Sequence, residues 1–454
     1  MQPQPPARAI PSTLQHPAAA RFWMALLATG TVAGIGAAAL TKLLEAVQRL
    51  FWGGNGRNLL ASAEGATIAT HVLVLLAAGA VTGVGQIILR RLSSGNSIDT
   101  TAAIWFHAGR MPVLRTLGSA VLSVIIVGMG VSLGREGAPK QVGAVFANIF
   151  ADRKGLSDEQ RRLLVACGSG AGMAAAYGVP LGGALFSLEV MRGVLALRYI
   201  MPALATSAVA TAVAWIVLPD APTYPIPAYT NSAKALVFAL LAGPLAGLFS
   251  VAYVRLITWA ERHKPTGWQR IFVPLAGLGL LGLVSIPFPQ ILGNGKDISL
   301  LAFASEVPLR LLLALVVLKP FATILCIRCG APGGLFTPSL TAGAMLGGVL
   351  GYAGSRLWPG VPIGLSAVLG AGAVLAATTQ GLISTVVLMM ELTGRDRSFI
   401  LPLLIAVGTA TLVARSIEPR SIYDAKLTDE EIAARQRMRE SVTPATALAD
   451  PGKG

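Results

Sequence analysis

The sequence predicts an all-α protein that crosses a membrane many times. Of its 454 residues, 54% are hydrophobic and 13% are charged, whereas a soluble domain typically has about 25% charged residues. Several uncharged runs reach the roughly 20 residues that a helix needs to span a bilayer. Other runs are short or broken by Gly and Pro, for example at 178–180 and 330–334. Broken helices at membrane depth are typical of transporters, in which they surround the substrate site.

The apolar segments follow one another along the chain and are the candidate helices. They fall near 22–51, 66–89, 112–133, 142–151, 160–177, 180–197, 199–218, 233–258, 271–292, 307–327, 338–357, 362–377, 381–392 and 399–414. Because many of them are short, we expect short, tilted and broken helices. Beyond them the chain turns polar: 427–442 is expected to form a short charged helix and 443–454 a disordered end.

The basic residues indicate how the chain is oriented. The formal net charge is +15, but the basic residues are scattered through short connections, at 90–91, 153–154, 161–162, 262–264 and 415–420. This pattern is typical of cytoplasmic loops and argues against nucleic-acid binding. The N-terminal residues lack the apolar core of a cleavable signal. We therefore expect a multi-pass protein of the cell (inner or plasma) membrane, with both termini cytoplasmic.

Two pairs of similar positions indicate an internal repeat. The motif GSGAGMAAA precedes Glu189 and the similar GAGAVLAA precedes Glu391, an offset of 391 − 189 = 202. Gly134 and Gly334 open two Gly-rich motifs at an offset of 334 − 134 = 200. These offsets predict two pseudo-symmetric halves around a shared site. The predicted division is an N-terminal tail at 1–20, a first membrane repeat at 21–218, a second membrane repeat at 219–426 and a C-terminal tail at 427–454.

The segment GREGAPKQVG at 134–143 places charged residues between apolar runs. Charged groups at membrane depth are costly and usually face a cavity, so Glu136, Arg135 and Lys140 are functional candidates. A helix that starts near Pro139 would direct its unpaired N–H groups and the positive end of its dipole at a nearby anion. Since Glu136 lies where that anion would bind, we interpret it as a gate. The alternative is a structural ion pair with Arg135 or Lys140.

Three further segments carry Gly, Pro or hydroxyl residues at the expected start of a helix. They are RLSSGNSIDTT at 91–101, GAPGGLFTPSL at 330–340 and SIYD at 421–424. The first offers several capping hydroxyls, and the second places glycines and a proline before a small-residue helix. Four such helix ends can converge on one site near the middle of the membrane. That site would prefer an anion without needing a full buried cation.

These motifs resemble those of the CLC family of chloride channels and chloride–proton antiporters, in the bacterial form without C-terminal CBS domains. GREG at 134–137 is similar to the family's G-[KR]-E-G-P, and GLFTP at 334–338 to its G-x-F-x-P. The resemblance covers nearly the whole membrane region. It implies the inverted-repeat CLC fold, a homodimer with an anion pathway in each subunit, and chloride as the transported ion. No cofactor is implied, and the protein would be a voltage- or pH-dependent channel or a chloride/proton exchanger.

The resemblance also implies roles for individual residues. Glu136 is the gate. Apart from the resemblance, we expect the neighbouring cations Arg135 and Lys140 to tune it. The groups that contact the anion come from the starts of four helices: Ser94, Gly137, Leu335, Phe336 and Tyr423. Among these, backbone amides hold the central anion at Leu335 and Phe336, and the Tyr423 hydroxyl closes its inner side opposite Ser94.

The sequence departs from the family pattern in several places. Pro139 stands one position later than the family's Pro, and Lys140 is an added charge. The Ser94 loop lacks its first Gly and its Pro, which leaves fluoride or nitrate open as the preferred anion. Val190 stands where coupled members carry an acid, the inner proton-transfer site. The protein is therefore either an uncoupled channel or an exchanger whose protons reach Glu136 by another route.

An intramembrane hydrolase is the remaining alternative. Ser169 in the Gly-rich segment would be its nucleophile, but such a serine needs a histidine base within hydrogen-bond reach. None of the four histidines, at 16, 71, 107 and 263, lies in a segment that obviously pairs with it. Cys326 and Cys329 form a single C-x-x-C with no second pair for zinc, so we expect them to be packing residues. We therefore expect a protein that is not an enzyme and has no metal site.

Overall fold

All regular secondary structure is helical in the part of the chain that the computed structural model describes, which is 19–56, 58–91, 99–229, 232–357, 360–395 and 399–442. The helices of the first half are α1 (Ala19–Trp52), α2 (Leu59–Glu64), α3 (Ile68–Arg91), α4 (Thr100–Phe106), α5 (Val113–Gly128), α6 (Gly137–Arg153), α7 (Asp158–Tyr177), α8 (Pro180–Phe186) and α9 (Leu197–Ala214). A π-helical turn, Ser187–Arg192, continues α8.

The helices of the second half are α10 (Ala233–Arg262), α11 (Gln269–Val284), α12 (Lys296–Phe303), α13 (Leu309–Arg328), α14 (Phe336–Leu357), α15 (Ile363–Thr379), α16 (Leu382–Thr393), α17 (Ile400–Ile417) and α18 (Asp429–Val442). A 3₁₀ turn, Pro289–Ile291, lies before α12. Each predicted apolar segment contains a helix, and α18 confirms the predicted charged helix. The predicted segment at 180–197 is not one helix, because its helical run ends at Gly193, whose φ of 71° is left-handed.

Six helices in the described ranges are long and apolar enough to cross a membrane: α1, α3, α9, α10, α13 and α17. Shorter apolar helices, such as α5 and α15, lie among them. A helix of 16 residues is only about 24 Å long, so it does not cross the hydrocarbon core unaided. The fold is therefore that of a multi-pass membrane protein in which full spans surround shorter helices.

Glycine allows α6 and α7 to pack backbone to backbone. A Cβ added to Gly143 would collide with the carbonyl oxygen of Gly168, and a Cβ added to Gly168 would collide with that of Gly143. Small residues at a helix crossing give this close approach in membranes. The Gly-rich motif at 168–176 therefore holds α6, the helix that follows Glu136, against the centre of the protein.

We expect Gly143→Ala to lower the free energy of unfolding by about 1–3 kcal/mol, the usual cost of overpacking a tight core. The obstacle is backbone, which cannot rotate away as a side chain would. Thermal unfolding of the purified protein in detergent measures the change. Gly408→Ala is the matched control, because a Cβ there meets nothing within 4 Å. Equal stability of the two variants would contradict the close packing.

Two glutamates bind helix ends in opposite halves. Glu391, near the end of α16, accepts hydrogen bonds from the N–H groups of Leu181 (3.0 Å) and Gly182 (2.6 Å) at the start of α8. Glu189 accepts the equivalent bonds at the start of α16, from Ile383 (3.1 Å) and Ser384 (2.6 Å). Each carboxylate thus satisfies N–H groups that a helix start leaves unpaired. This reciprocal pair supports the two-repeat interpretation of the sequence.

The two Gly-rich motifs meet directly. Gly134 and Gly334 exchange backbone hydrogen bonds, N–H to carbonyl, at 2.8 and 2.7 Å, in an isolated antiparallel bridge. The bridge brings the start of α6 next to the start of α14, although the two motifs are 200 residues apart in sequence. The fold therefore places two helix N-termini at one point inside the protein.

Candidate functional site

Glu136 lies where these helix ends meet. It is the residue immediately before α6, and it is fully buried. Its Oε1 accepts a hydrogen bond of 2.7 Å from the N–H of Phe336, the first residue of α14. Its Oε2 lies within hydrogen-bond distance of the hydroxyls of Thr337 (3.1 Å) and Tyr177 (3.3 Å). These two hydroxyls are 2.8 Å apart, and since each has one proton, either both donate to Glu136 or one of them donates to the other. The donors around this carboxylate therefore come from two other helices, α14 and α7, and one of them is the N–H at a helix start, which suits an anion.

Glycine makes room for this carboxylate. A Cβ added to Gly134 or to Gly334 would overlap the Glu136 carboxylate. The two bridging glycines thus form both walls of the Glu136 seat, the position that its carboxylate occupies. Any side chain at either glycine would displace the carboxylate. The glycines of the motifs are required for this close approach to the backbone.

Neither neighbouring cation is an ion-pair partner of Glu136, although all three residues are described. The Arg135 guanidinium lies over the Tyr177 ring, 5.0 Å from its centroid. The Lys140 ammonium lies over the Tyr423 ring at 4.3 Å and near the Phe186 ring at 5.1 Å. Glu136 therefore forms no ion pair with Arg135 or Lys140. N–H and O–H donors bind its carboxylate instead.

A small cavity of about 100 Å³ lies beside the Glu136 seat. Four of the predicted site residues line it: Gly137, Lys140, Leu335 and Tyr423. The Tyr423 hydroxyl is buried and has no hydrogen-bond partner within the described residues. Phe336 contributes its N–H to Glu136, and its buried ring packs against Tyr177 at 6.2 Å. Ser94 falls at 92–98, outside the described residues.

A larger cavity of about 880 Å³ shares several lining residues with the small one, including Asp99, Gln141 and Lys426. Lys426 donates to Asp99 at 3.0 Å across its wall. Burial favours a higher pKa for Asp99, but the Lys426 charge and the Thr101 N–H outweigh it and hold this pKa below its ordinary value. Asp99 in turn raises the pKa of Lys426. The contact is fully present above the ordinary pKa of an aspartate and is lost as the pH falls through the lowered pKa of Asp99.

Val190 lies in the π-helical turn and is only 3% exposed. Its side chain packs so closely on Gly381 that a Cβ there would lie 2.6 Å from the Val190 Cγ2. Its carbonyl accepts a hydrogen bond of 3.2 Å from Arg435 in α18. The position at which the resemblance led us to look for an acid is thus an apolar contact with Gly381, closed on one side by a guanidinium.

Three residues of the site were not assigned to it from the sequence. Tyr177 and Thr337 hold Glu136, and Ser169 lines the small cavity with a buried hydroxyl that has no partner within the described chain. Thr337 follows Phe336 in the G-x-F-x-P motif, so of the three it was the easiest to assign to the site from the sequence. Tyr177 and Ser169 lie in the Gly-rich helix α7, whose small residues indicate packing.

Fold and site together define a multi-pass membrane protein of the broken-helix transporter class, with a carboxylate seated in an anion site. Residues 93–415 match the family model described as voltage gated chloride channel. The voltage-gated ClC-type chloride channel ClcB of Escherichia coli is 34% identical over 326 residues, which are 69% of this chain and 76% of that protein. The chain therefore belongs to the voltage-gated chloride channel (CLC) family.

Two further similar proteins are named as exchangers and not as channels. The H(+)/Cl(-) exchange transporter ClcA of Yersinia pestis is 29% identical over 343 residues, 71% of this chain and 68% of that protein. The structure of a slow cyanobacterial Cl⁻/H⁺ antiporter superposes with a TM-score of 0.78, covering 93% of this chain and 100% of that one at 22% identity. The second likeness shows the fold, and both relatives are similar to this chain over most of its length.

Proposed function

We propose that this protein moves chloride across a cell membrane along a pathway that the Glu136 carboxylate opens and closes. The observation that carries the proposal is the 2.7 Å hydrogen bond from the Phe336 N–H to Glu136. A helix N-terminus that binds a carboxylate also suits a halide, because both are anions that accept from N–H donors. The sequence relatives of this protein include one named as a chloride channel and one named as a chloride/proton exchanger.

The gate works by competition for the same donors. The ionised carboxylate occupies the N–H of Phe336 and the hydroxyl of Thr337, which excludes an anion from them. Protonation removes the charge that holds it there, and the side chain leaves its seat. Chloride then binds at the amides of Leu335, Phe336 and Gly137. In this proposal the Tyr423 hydroxyl and Ser94 bind its inner side, and Arg135 and Lys140 adjust the field around Glu136.

Whether protons are exchanged for chloride is tested directly by the protein in liposomes. A chloride gradient is imposed, and chloride and proton movements are recorded together. Uphill proton movement driven by chloride defines an exchanger, and chloride flux without it defines a channel. Val190 favours the channel, since valine does not carry a proton and is buried against Gly381. A protein that moves no chloride in either assay would contradict the proposed function.

Other anions and other activities form the alternatives. Fluoride or nitrate on the same fold is tested by replacing chloride in the liposome assay. A hydrolase would need a base for Ser169, but His71 is bonded to the hydroxyl of Ser285 (2.8 Å) and the carbonyl of Ala63 (2.9 Å). We therefore propose transport without enzymatic activity.

The assembly that we propose is a homodimer in the inner or plasma membrane, with both termini cytoplasmic. The short basic connections support this orientation. Many leucines and other large apolar residues are exposed on the outer helices, for example Leu241 (63%) and Leu412 (72%). Such surfaces are covered by lipid or by a second copy of the chain. Chloride, lipid and, in an exchanger, protons are then the partners of each subunit, with a separate anion pathway in each.

Tyr423→Ala is expected to weaken chloride binding several-fold, because it removes the buried hydroxyl donor beside the anion site. The ring also packs edge-on against Phe186 at 5.6 Å, so Tyr423→Phe separates the hydroxyl from the packing. Isothermal titration of the purified protein with chloride measures both variants. If both bind chloride as the original protein does, the hydroxyl is not an anion ligand.

A further inference from the structure

Lys140 is a buried cation at the centre of the protein. It is 7% exposed and lies one turn after Glu136 in α6. Within the described chain it forms no ion pair; its ammonium lies over the rings of Tyr423 and Phe186. The undescribed segment at 92–98, which precedes cavity residue Asp99, contains no acidic residue in the sequence. A buried charge is costly unless something pairs with it, and contact with a ring does not neutralise it.

The other charged groups of the small cavity are already paired. Lys264 bonds Glu261 at 2.7 Å, and Lys426 bonds Asp99 at 3.0 Å. Among the described residues that line this cavity, Lys140 is therefore the one cation without a carboxylate partner. The cavity also contains two buried hydroxyls without hydrogen-bond partners in the described chain, those of Ser169 and Tyr423. Its unsatisfied groups are thus an ammonium and two O–H groups, all of which can donate to an anion.

We propose that Lys140 is a direct ligand of the transported anion and that Ser169 and Tyr423 complete its donor set. This deepens the proposed function and rests on it. While Glu136 is ionised and seated, it is the stronger of the two negative charges that act on Lys140, and Asp99 is the other. When Glu136 becomes protonated, Lys140 loses the stronger charge, and an anion entering the cavity replaces it. The carboxylate and the anion therefore alternate as the counter-charge of one ammonium.

This assignment differs from an anion site built from helix ends alone. Helix N-termini supply partial charges, whereas an ammonium supplies a full one in a poorly solvated place. The expected consequences are tighter chloride binding and slower release than dipoles alone would give. Hydroxyls at Ser169 and Tyr423 then fix the position of the ion, because the ammonium by itself acts as a point charge.

Chloride titration of the purified protein in lipid nanodiscs tests the proposal. Lys140→Met removes the charge but keeps an unbranched side chain, and we expect the chloride dissociation constant to rise at least tenfold, about 1.4 kcal/mol. Lys140→Arg keeps the charge and is expected to remain within about threefold, because charge is the dominant contribution. Lys42→Met is the control: it removes a lysine that is paired with Glu45 on α1, away from the cavity. It should leave chloride binding unchanged.

A second measurement separates binding from general damage to the fold. Glu136→Gln should tighten chloride binding strongly in the original protein, since the competing carboxylate is gone, and much less when combined with Lys140→Met. If Lys140→Met does not fold, Lys140→Gln, which removes the charge but keeps a donor, replaces it. A folded neutral variant that binds chloride as tightly as the original protein would overturn the role of Lys140 while leaving the proposed function intact. A starting protein that neither binds nor moves chloride would instead overturn the proposed function.

Discussion

Glu136→Gln is expected to make chloride flux nearly independent of pH. Glutamine has almost the same shape and accepts the Phe336 N–H, but it has no charge to gain or lose. In the original protein the gate is a carboxyl that can be protonated, so the flux should change with pH. The flux of the variant should vary little between acidic and neutral pH.

Chloride efflux from proteoliposomes, recorded with an electrode over a series of pH values, measures this difference. Glu64→Gln is the control, because Glu64 is an exposed carboxylate that accepts a hydrogen bond of 3.4 Å from the Gln290 side chain. It should keep the pH response of the original protein. A Glu136→Gln variant whose flux still follows pH would remove Glu136 from the gate and would point to another titrating group.

Arg435→Gln is expected to cost about 3–5 kcal/mol of stability, the usual effect of leaving one partner of a buried ion pair alone. Arg435 in α18 pairs with Asp424, and the two side chains are only 5% and 6% exposed. Its guanidinium also lies over the Trp105 ring at 5.1 Å and donates to the Val190 carbonyl. Since Asp424 follows Tyr423 directly, the variant should also weaken chloride binding.

Thermal unfolding and chloride titration of the same preparations test both parts of this expectation. Asp429→Asn is the matched control, since it breaks exposed ion pairs of α18 with Arg262 and Arg420. It should have little effect on either measurement. The double change Asp424→Asn with Arg435→Gln should recover part of the stability, because no buried charge then remains unpaired. If Arg435→Gln behaves like Asp429→Asn, the buried pair does not stabilise the fold.

The helices were largely predictable because membrane helices are long uncharged runs that Gly and Pro interrupt. The offset of 200 between Gly134 and Gly334 indicated that the two glycines are equivalent positions of a repeat. In the structure they form a backbone bridge with each other. The start of α6 at Gly137 was likewise expected near Pro139. These features depend on residues that are close in sequence or on a regular repeat, so a single chain contains the necessary information.

The contacts of the charged side chains were not predictable in the same way. The sequence offered Lys140 as an ion-pair partner of Glu136, but its ammonium instead extends to the Tyr423 ring, which belongs to the far end of the chain. The sequence predicted an anion site without a full buried cation, whereas in the structure Lys140 lines the small cavity. The hydroxyls of Tyr177 and Thr337 reach Glu136 from 41 and 201 residues away. Such contacts are determined by how the two halves pack against each other, and the spacing of residues in the sequence does not predict that packing.

The exchange of glutamates between the halves has a consequence for how the protein is made. The N–H groups of Leu181 and Gly182 donate to the Glu391 carboxylate, which lies 210 and 209 residues further along the chain. Unpaired N–H groups are costly in lipid, and Leu181 is itself on the exposed surface. A newly synthesised first half therefore enters the bilayer with a helix start that it cannot satisfy, and completion of the second half supplies the missing acceptor. We therefore expect the first half to be less stable in a membrane when the second half is absent.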